Sequence, residues 1–207
     1  MVQILKEESK KNIIEAAKEE FLDKGFKEAS MRSIAKKSNM TVGNLYRYFK
    51  NKNDIIMYIV SNTLGELDNY IQFLTNNKIS LQSDSFDLKL NFDDIKKLLI
   101  NISDSLVDIY SRYTIEFKIL MLHSDLNSSI NDWLTNLISS LISQNLSLNE
   151  KKDYVNNLAS VYADSIFEGV KKIFTSNNNI DELKATLKIY LLSIFNIFTN
   201  DIKEYVE

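Results

Sequence analysis

The sequence predicts an all-α chain of about nine helices, arranged as an N-terminal three-helix head on a larger helical body. Three observations carry this. The 207 residues contain no proline and only four glycines (Gly25, Gly43, Gly65 and Gly169), so the turn punctuation that all-β folds need is missing. Apolar residues recur with a period near 3.6 over most of the chain. Ser, Thr, Asn and Asp stand where those periodic segments should begin, as helix N-caps do.

The first stripe, Ile13, Ile14, Ala17, Phe21 and Leu22, predicts a helix from Ser9 to Lys24, with Gly25 as its left-handed C-cap. Ser30 caps a second, short helix whose inner face is Met31, Ile34 and Ala35. Asn39 falls where a sharp turn is needed, and asparagine tolerates a left-handed backbone. Thr41 caps a third helix, Val42 to Phe49, with Leu45 and Phe49 pointing inward. Asn51-Lys52-Asn53-Asp54 opens a long helix from Lys52 to about Leu74. Residues 76–92 are polar and aperiodic and read as a connector. Beyond it, Ile95, Leu98, Leu99, Ile102, Leu106 and Ile109 form one stripe, and Tyr113 to Leu122 is a short apolar segment. Asp132 to Leu146 makes another helix, Ser147-Leu148-Asn149-Glu150 opens one reaching Phe174, and Asn179-Ile180-Asp181-Glu182 opens the last, to about Tyr205. The expected organisation is a head over 1–53, a connecting helix over 52–74, the connector, and a body over 93–207.

Composition removes several functions. The absence of cysteine excludes thiolate metal sites and cysteine nucleophiles. A single histidine, His123, and the lack of a phosphate-cradling glycine loop argue against an enzyme, so neither metal nor cofactor is expected. Met1 to Glu8 has no apolar run, and the stretch Leu187 to Phe198 is interrupted by Lys188, Ser193 and Asn196 and is too short to span a bilayer. A cytoplasmic protein without membrane contact is the expectation. Residues 1–53 hold twelve Lys/Arg against seven Asp/Glu, a net +5, whereas the remainder holds thirteen against twenty-one, a net −8. A basic head on an acidic body points to a polyanion as the head's partner.

Two short amphipathic helices joined by a tight turn in a basic region form a helix-turn-helix candidate. Gly43 and Asn44 keep the start of the second helix small enough to approach base edges. Tyr46, Arg47, Tyr48, Lys50 and Lys52 surround it with phenolic and cationic donors suited to phosphate. The runs Ser30-Met31-Arg32-Ser33-Ile34-Ala35 and Thr41-Val42-Gly43-Asn44-Leu45-Tyr46-Arg47-Tyr48-Phe49-Lys50-Asn51-Lys52 resemble the signature of the TetR family of bacterial transcriptional regulators. Ala16-Ala17, Phe21 and Gly25-Phe26 resemble that family's first helix. Asn39 stands where the family often has glycine. Val42 stands where it often has a polar or basic residue, which favours an apolar contact, as with a thymine methyl. The resemblance implies DNA contacts from Thr41, Gly43, Tyr46, Tyr48 and Lys52, with Ser30 and Arg32 contributing from the preceding helix. Helical spacing leaves Arg47 either on the duplex or on the solvent side.

In the family the remaining residues form an effector-binding and dimerisation body, which implies a homodimer on double-stranded operator DNA and a small-molecule effector. Tyr110, Tyr113, Phe117, Met121, Trp133 and Tyr162 are candidates for lining an apolar pocket or for ordinary core. His123 is either a satisfied histidine or a hydrogen-bonding group in that pocket. Glu116 and Glu168 read as solvated. Leu187, Ile189, Tyr190, Leu191, Leu192, Ile194, Phe195, Ile197 and Phe198 surround most of the last helix, which asks for burial on nearly every face. The helix before it adds Tyr154, Leu158, Val161, Tyr162, Ile166, Val170 and Ile173, with Gly169 permitting close approach. The expected dimer interface is therefore Leu158, Tyr162, Ile166, Gly169, Ile173, Leu187, Tyr190, Leu191, Ile194 and Phe198, packed as a four-helix bundle. The function expected is a repressor released from a palindromic operator by a hydrophobic or aromatic ligand. An activator at the same kind of operator and a helical scaffold protein are the alternatives.

Overall fold

A computed structural model describes residues 2–76, 92–123, 128–146 and 152–200. Among the described residues there are nine helices and no strand: α1 (Val2–Glu28), α2 (Met31–Lys37), α3 (Val42–Leu45), α4 (Lys52–Asn76), α5 (Phe92–Arg112), α6 (Thr114–Leu122), α7 (Ser128–Leu146), α8 (Lys152–Ser176) and α9 (Ile180–Asn200). The all-α class expected from the missing punctuation is the one observed. Of the connector expected over 76–92, Asn76 ends α4 and Phe92 begins α5; its remaining residues, like the capping box at Ser147-Leu148-Asn149-Glu150, lie outside the described residues.

Helix α1 starts earlier than the apolar stripe alone indicated, because Gln3, Leu5, Lys6, Glu7 and Glu8 are all good helix formers and no breaker intervenes. Its far end also differs. Gly25 has φ 69° and ψ 170°, which is not the left-handed helical cap but a region open almost only to glycine. The chain kinks there and makes one more helical turn through Phe26, Lys27 and Glu28.

The chain divides into two compact units. The first comprises the described residues of 1–67 and 113–125, so α6 joins α1, α2, α3 and the first part of α4. The head expected over 1–53 thus lies within a larger unit. In it α1 packs on α2 and on α6, and α2 packs on α3. Its buried residues include Ile13, Ala17, Phe21, Ile34, Leu45, Ile55, Val60, Phe117 and Leu120. The second comprises the described residues of 68–112 and 126–207, in which α7 packs on α8 and α5 on α9, with α9 also touching α7 and α8. Ile95, Leu137 and Phe195 form a core cluster there, flanked by Leu99, Trp133 and Leu134.

Candidate nucleic-acid interface

The local geometry of residues 29–54 follows from its caps. Ser30 accepts from the Ser33 backbone N–H at 3.1 Å, and the Ser33 hydroxyl accepts from the Ser30 N–H at 3.2 Å, a reciprocal capping box that starts α2. At the other end Met40 N–H donates to the Ala35 carbonyl at 2.8 Å and Asn39 N–H to that of Lys36 at 3.2 Å. This is a Schellman closure, with Asn39 at φ 55° taking the position usually given to glycine. Thr41 Oγ1 accepts from Asn44 N–H at 3.2 Å and starts α3. Asn51 Oδ1 accepts from Asp54 N–H at 2.9 Å while the Asp54 carboxylate accepts from Lys50 N–H at 3.0 Å, and these bonds open α4.

Helix α3 is shorter than expected, ending at Leu45 instead of Phe49. Val42, Gly43 and Asn44 are weak helix formers, and the chain tightens after them. Arg47 N–H bonds the Asn44 carbonyl at 3.1 Å and Tyr48 N–H that of Leu45 at 2.9 Å, both i to i−3. Leu45 and Phe49 are buried as expected and anchor the element.

Thr41, Gly43, Tyr46, Arg47, Ser30 and Arg32 are exposed, with Tyr46 at 52%, while Val42, Asn44 and Tyr48 are half-buried. Lys52 is different. Its ammonium donates to the carbonyls of Phe26 at 2.7 Å, Lys27 at 3.1 Å and Ala29 at 3.1 Å, and lies 4.4 Å from the centroid of the Phe26 ring. An ammonium has three protons, so every donor is engaged inside the protein.

Sequence reasoning missed the charge cluster that seats α2 on α1. Glu20 is fully buried, yet its carboxylate accepts from Lys24 at 2.7 Å and pairs with Lys37 at 3.2 Å. Burial acts to raise its pKa, but hydrogen bonds from Lys24, Ser33 and Lys37 overcome that and lower it to about 2. Lys37 also meets Glu19 and Asp23, each at 3.1 Å; against the downward push of burial, these carboxylates raise its pKa. The (i, i+4) spacing of Glu20 and Lys24 was legible, whereas the long-range partner Lys37 was not.

The predicted pocket residues divide between the units. In the first, Phe117 and Met121 are buried, His123 lies 4.2 Å from the Phe26 ring, and the Tyr113 hydroxyl meets Glu66 at 3.4 Å. Glu116, read as solvated, pairs with Lys18 at 2.8 Å and ties α6 to α1. In the second, Tyr110 is buried 5.1 Å from Phe174, Trp133 flanks the core cluster, and Tyr162 is half-buried. A cavity of about 630 Å³ in the first unit is lined by residues of α1, the turn Ser38-Asn39 and Ile115, and contains none of them.

Of the residues assigned to a dimer interface, Ile166, Ile173, Leu187 and Leu191 are buried in the chain itself. Leu158, Tyr162, Gly169, Tyr190 and Ile194 are half-buried, and the side chain of Phe198 lies outside the described residues. Gly169 makes room within the chain: a Cβ there would collide with the hydroxyl of Tyr190, which bonds the Ser165 carbonyl at 3.1 Å. Among the described side chains of α8 and α9, the most exposed apolar ones are Val161 at 62% and Ile189 at 65%.

Two capped short helices, a left-handed turn between them and an exposed face define a helix-turn-helix. Residues 13–59 match the family model described as bacterial regulatory proteins, tetR family. It is 30% identical over 94 residues to the HTH-type transcriptional regulator SAB2452 of Staphylococcus aureus, a match covering 45% of this chain and 49% of that one. The chain thus spans about half the length of this curated relative. Among solved structures it is similar to a TetR-like transcriptional regulator from Rhodococcus sp. RHA1, at 18% identity and TM-score 0.47, covering 90% of this chain and 95% of that one. It is also similar to NalD, described as the secondary repressor of the MexAB-OprM multidrug efflux pump in Pseudomonas aeruginosa. That match has 18% identity, TM-score 0.49, and covers 94% of this chain and 98% of the other.

Proposed function

We propose that this chain is a DNA-binding transcription regulator that reads an inverted-repeat operator as a homodimer and acts as a repressor released by a small hydrophobic or aromatic ligand. The observation that carries the reading is the exposure of Thr41, Gly43, Tyr46 and Arg47 on an element that the Thr41 cap starts and i to i−3 bonds from Arg47 and Tyr48 close. Such a surface is rigid before it meets DNA, so little ordering cost accompanies binding. The positive balance of residues 1–53 supplies attraction to phosphate, and Gly43 and Asn44 supply access to base edges.

Two-fold reading requires a second chain. Val161 and Ile189, with half-buried Leu158, Tyr162 and Ile194, are the apolar surface that chain would cover. Ligand control is supported by α6, which follows the body helix α5 in sequence yet packs on α1 in the reader's own unit. A ligand that shifts α6 acts on the reader without an intervening linker. A typical coupling of about 1–3 kcal/mol would lower operator affinity roughly 5–150-fold.

The test is a titration of the protein against DNA flanking its own coding sequence, with random DNA of equal length as the reference. Specific binding about 10³-fold or more above the reference is expected. Tyr46→Ala should reduce that binding on all sequences while leaving stability unchanged. Equal affinity for both DNAs would overturn the regulator reading and favour a helical scaffold.

A further inference from the structure

We propose that Lys10 of α1 is a further DNA-contacting residue, whose ammonium two aromatic rings hold beside the reader for a phosphate on the operator's flank. The proposal rests on the DNA-binding reading above and adds α1 to the surface that meets the duplex. Other lysines of this unit are matched by carboxylates: Lys18 meets Glu15 and Glu116, Lys24 meets Glu20, and Lys37 meets Glu19, Glu20 and Asp23. Lys10 differs. Among the described residues its ammonium meets no carboxylate, and it lies 3.9 Å from the centroid of the Tyr58 ring and 6.0 Å from that of Phe49.

An ion pair and a ring contact leave a lysine in different electrical states. A carboxylate cancels the ammonium's charge toward a third body, whereas the quadrupole of an aromatic ring orients the cation and carries no net charge. Lys10 therefore keeps its full attraction for an anion while its long stem is already ordered. Tyr58 is itself 50% exposed and packs edge-on against Phe49 at 5.8 Å, which places the lysine beside the reader's own anchor. Phe49 follows Arg47 and Tyr48 and precedes Lys50, and Arg47 and Lys50 are exposed. The ammonium of Lys10 lies 6.0 Å from the ring at that cationic end, less than the roughly 8 Å over which exposed charges act at physiological salt.

Salt dependence separates a phosphate contact from a packing role. Lys10→Gln should flatten the slope of log affinity against log salt by about 0.9 per bound chain, the signature of one lost phosphate contact. Its loss of affinity should be equal on flanking and on random DNA, because phosphate contacts position a protein without reading sequence. Lys10→Arg keeps both the charge and the ring contact, and should keep the wild-type slope. A wild-type slope in Lys10→Gln would overturn the proposal. So would a slope flattened equally in Lys10→Arg, which would make the lysine a packing residue. Absence of any DNA binding by the wild type would instead overturn the regulator reading, and this proposal with it.

A measurement on the unaltered protein guards against a variant that fails to fold. Amine-directed acetylation followed by peptide mapping is run with and without saturating flanking DNA. Lys10 should react about fivefold or more slowly in the complex, since its donors are then engaged by phosphate. Lys97, whose side chain is 74% exposed in the second unit, should react at one rate in both and serves as the reference. Unchanged acetylation of Lys10 in a complex whose formation a gel shift confirms would overturn the proposal while leaving the regulator reading in place.

Discussion

Glu20→Gln tests whether a buried charge, and not apolar packing alone, seats α2 on α1. The carboxylate is fully buried, held by Lys24 at 2.7 Å and Lys37 at 3.2 Å, and titrates at about 2 in place of the ordinary 4.5. A fall of that size corresponds to about 3.5 kcal/mol at most, since one pH unit is about 1.4 kcal/mol. Lys24 is 49% exposed and Lys37 27%, so solvent screens their attraction, and about 1–2 kcal/mol is the expected contribution. Because the folded pKa lies below the unfolded one, this contribution is complete above about pH 4.5 and disappears as pH falls toward 2. Glutamine has no proton to bind in that window. Urea denaturation of wild type and Glu20→Gln should therefore differ by about 1–2 kcal/mol at pH 7, and the two curves should converge between pH 4.5 and 2. A constant difference across that window would mean that lost packing is responsible. No difference at pH 7 would mean that the charge cluster does not hold α2 at all.

Gly25→Ala should cost about 1–3 kcal/mol in urea denaturation through backbone strain alone, because a Cβ at Gly25 meets nothing within 4 Å; a neutral variant would refute the assigned conformation. Gly169→Ala should cost about 1 kcal/mol or more by displacing Tyr190 from the Ser165 carbonyl, and adding Tyr190→Ala should remove most of the further penalty. Additive costs in that double mutant would show that the two residues do not meet. Ile189→Glu changes a side chain that is 65% exposed, so the chain should remain folded while light scattering shows a dimer converted to monomer. An unchanged dimer would place the interface elsewhere.

The sequence by itself determined the helices and the reader. Ser30, Asn39, Thr41 and Asn51 each act on a backbone group within four residues, so their caps and turns are visible as local spacing. The alternation of Ile34, Ala35, Leu45 and Phe49 with polar neighbours likewise selects the face that turns inward. What only the tertiary structure decided involves partners far apart in the chain. Lys52 looks like any basic residue beside a reader until the carbonyl of Phe26, 26 positions earlier, is brought to 2.7 Å. Glu20 could be read only as one half of an (i, i+4) pair until Lys37 arrives from another helix. Gly169 marks a close approach in either reading, but its neighbour is Tyr190 of the same chain. Apolar periodicity reports that a face must be covered without saying by what, which is why α6 could be delineated correctly yet placed with the body. Local hydrogen bonds leave a signature in spacing; a contact closed across a long loop depends on how the helices pack, and no spacing encodes it.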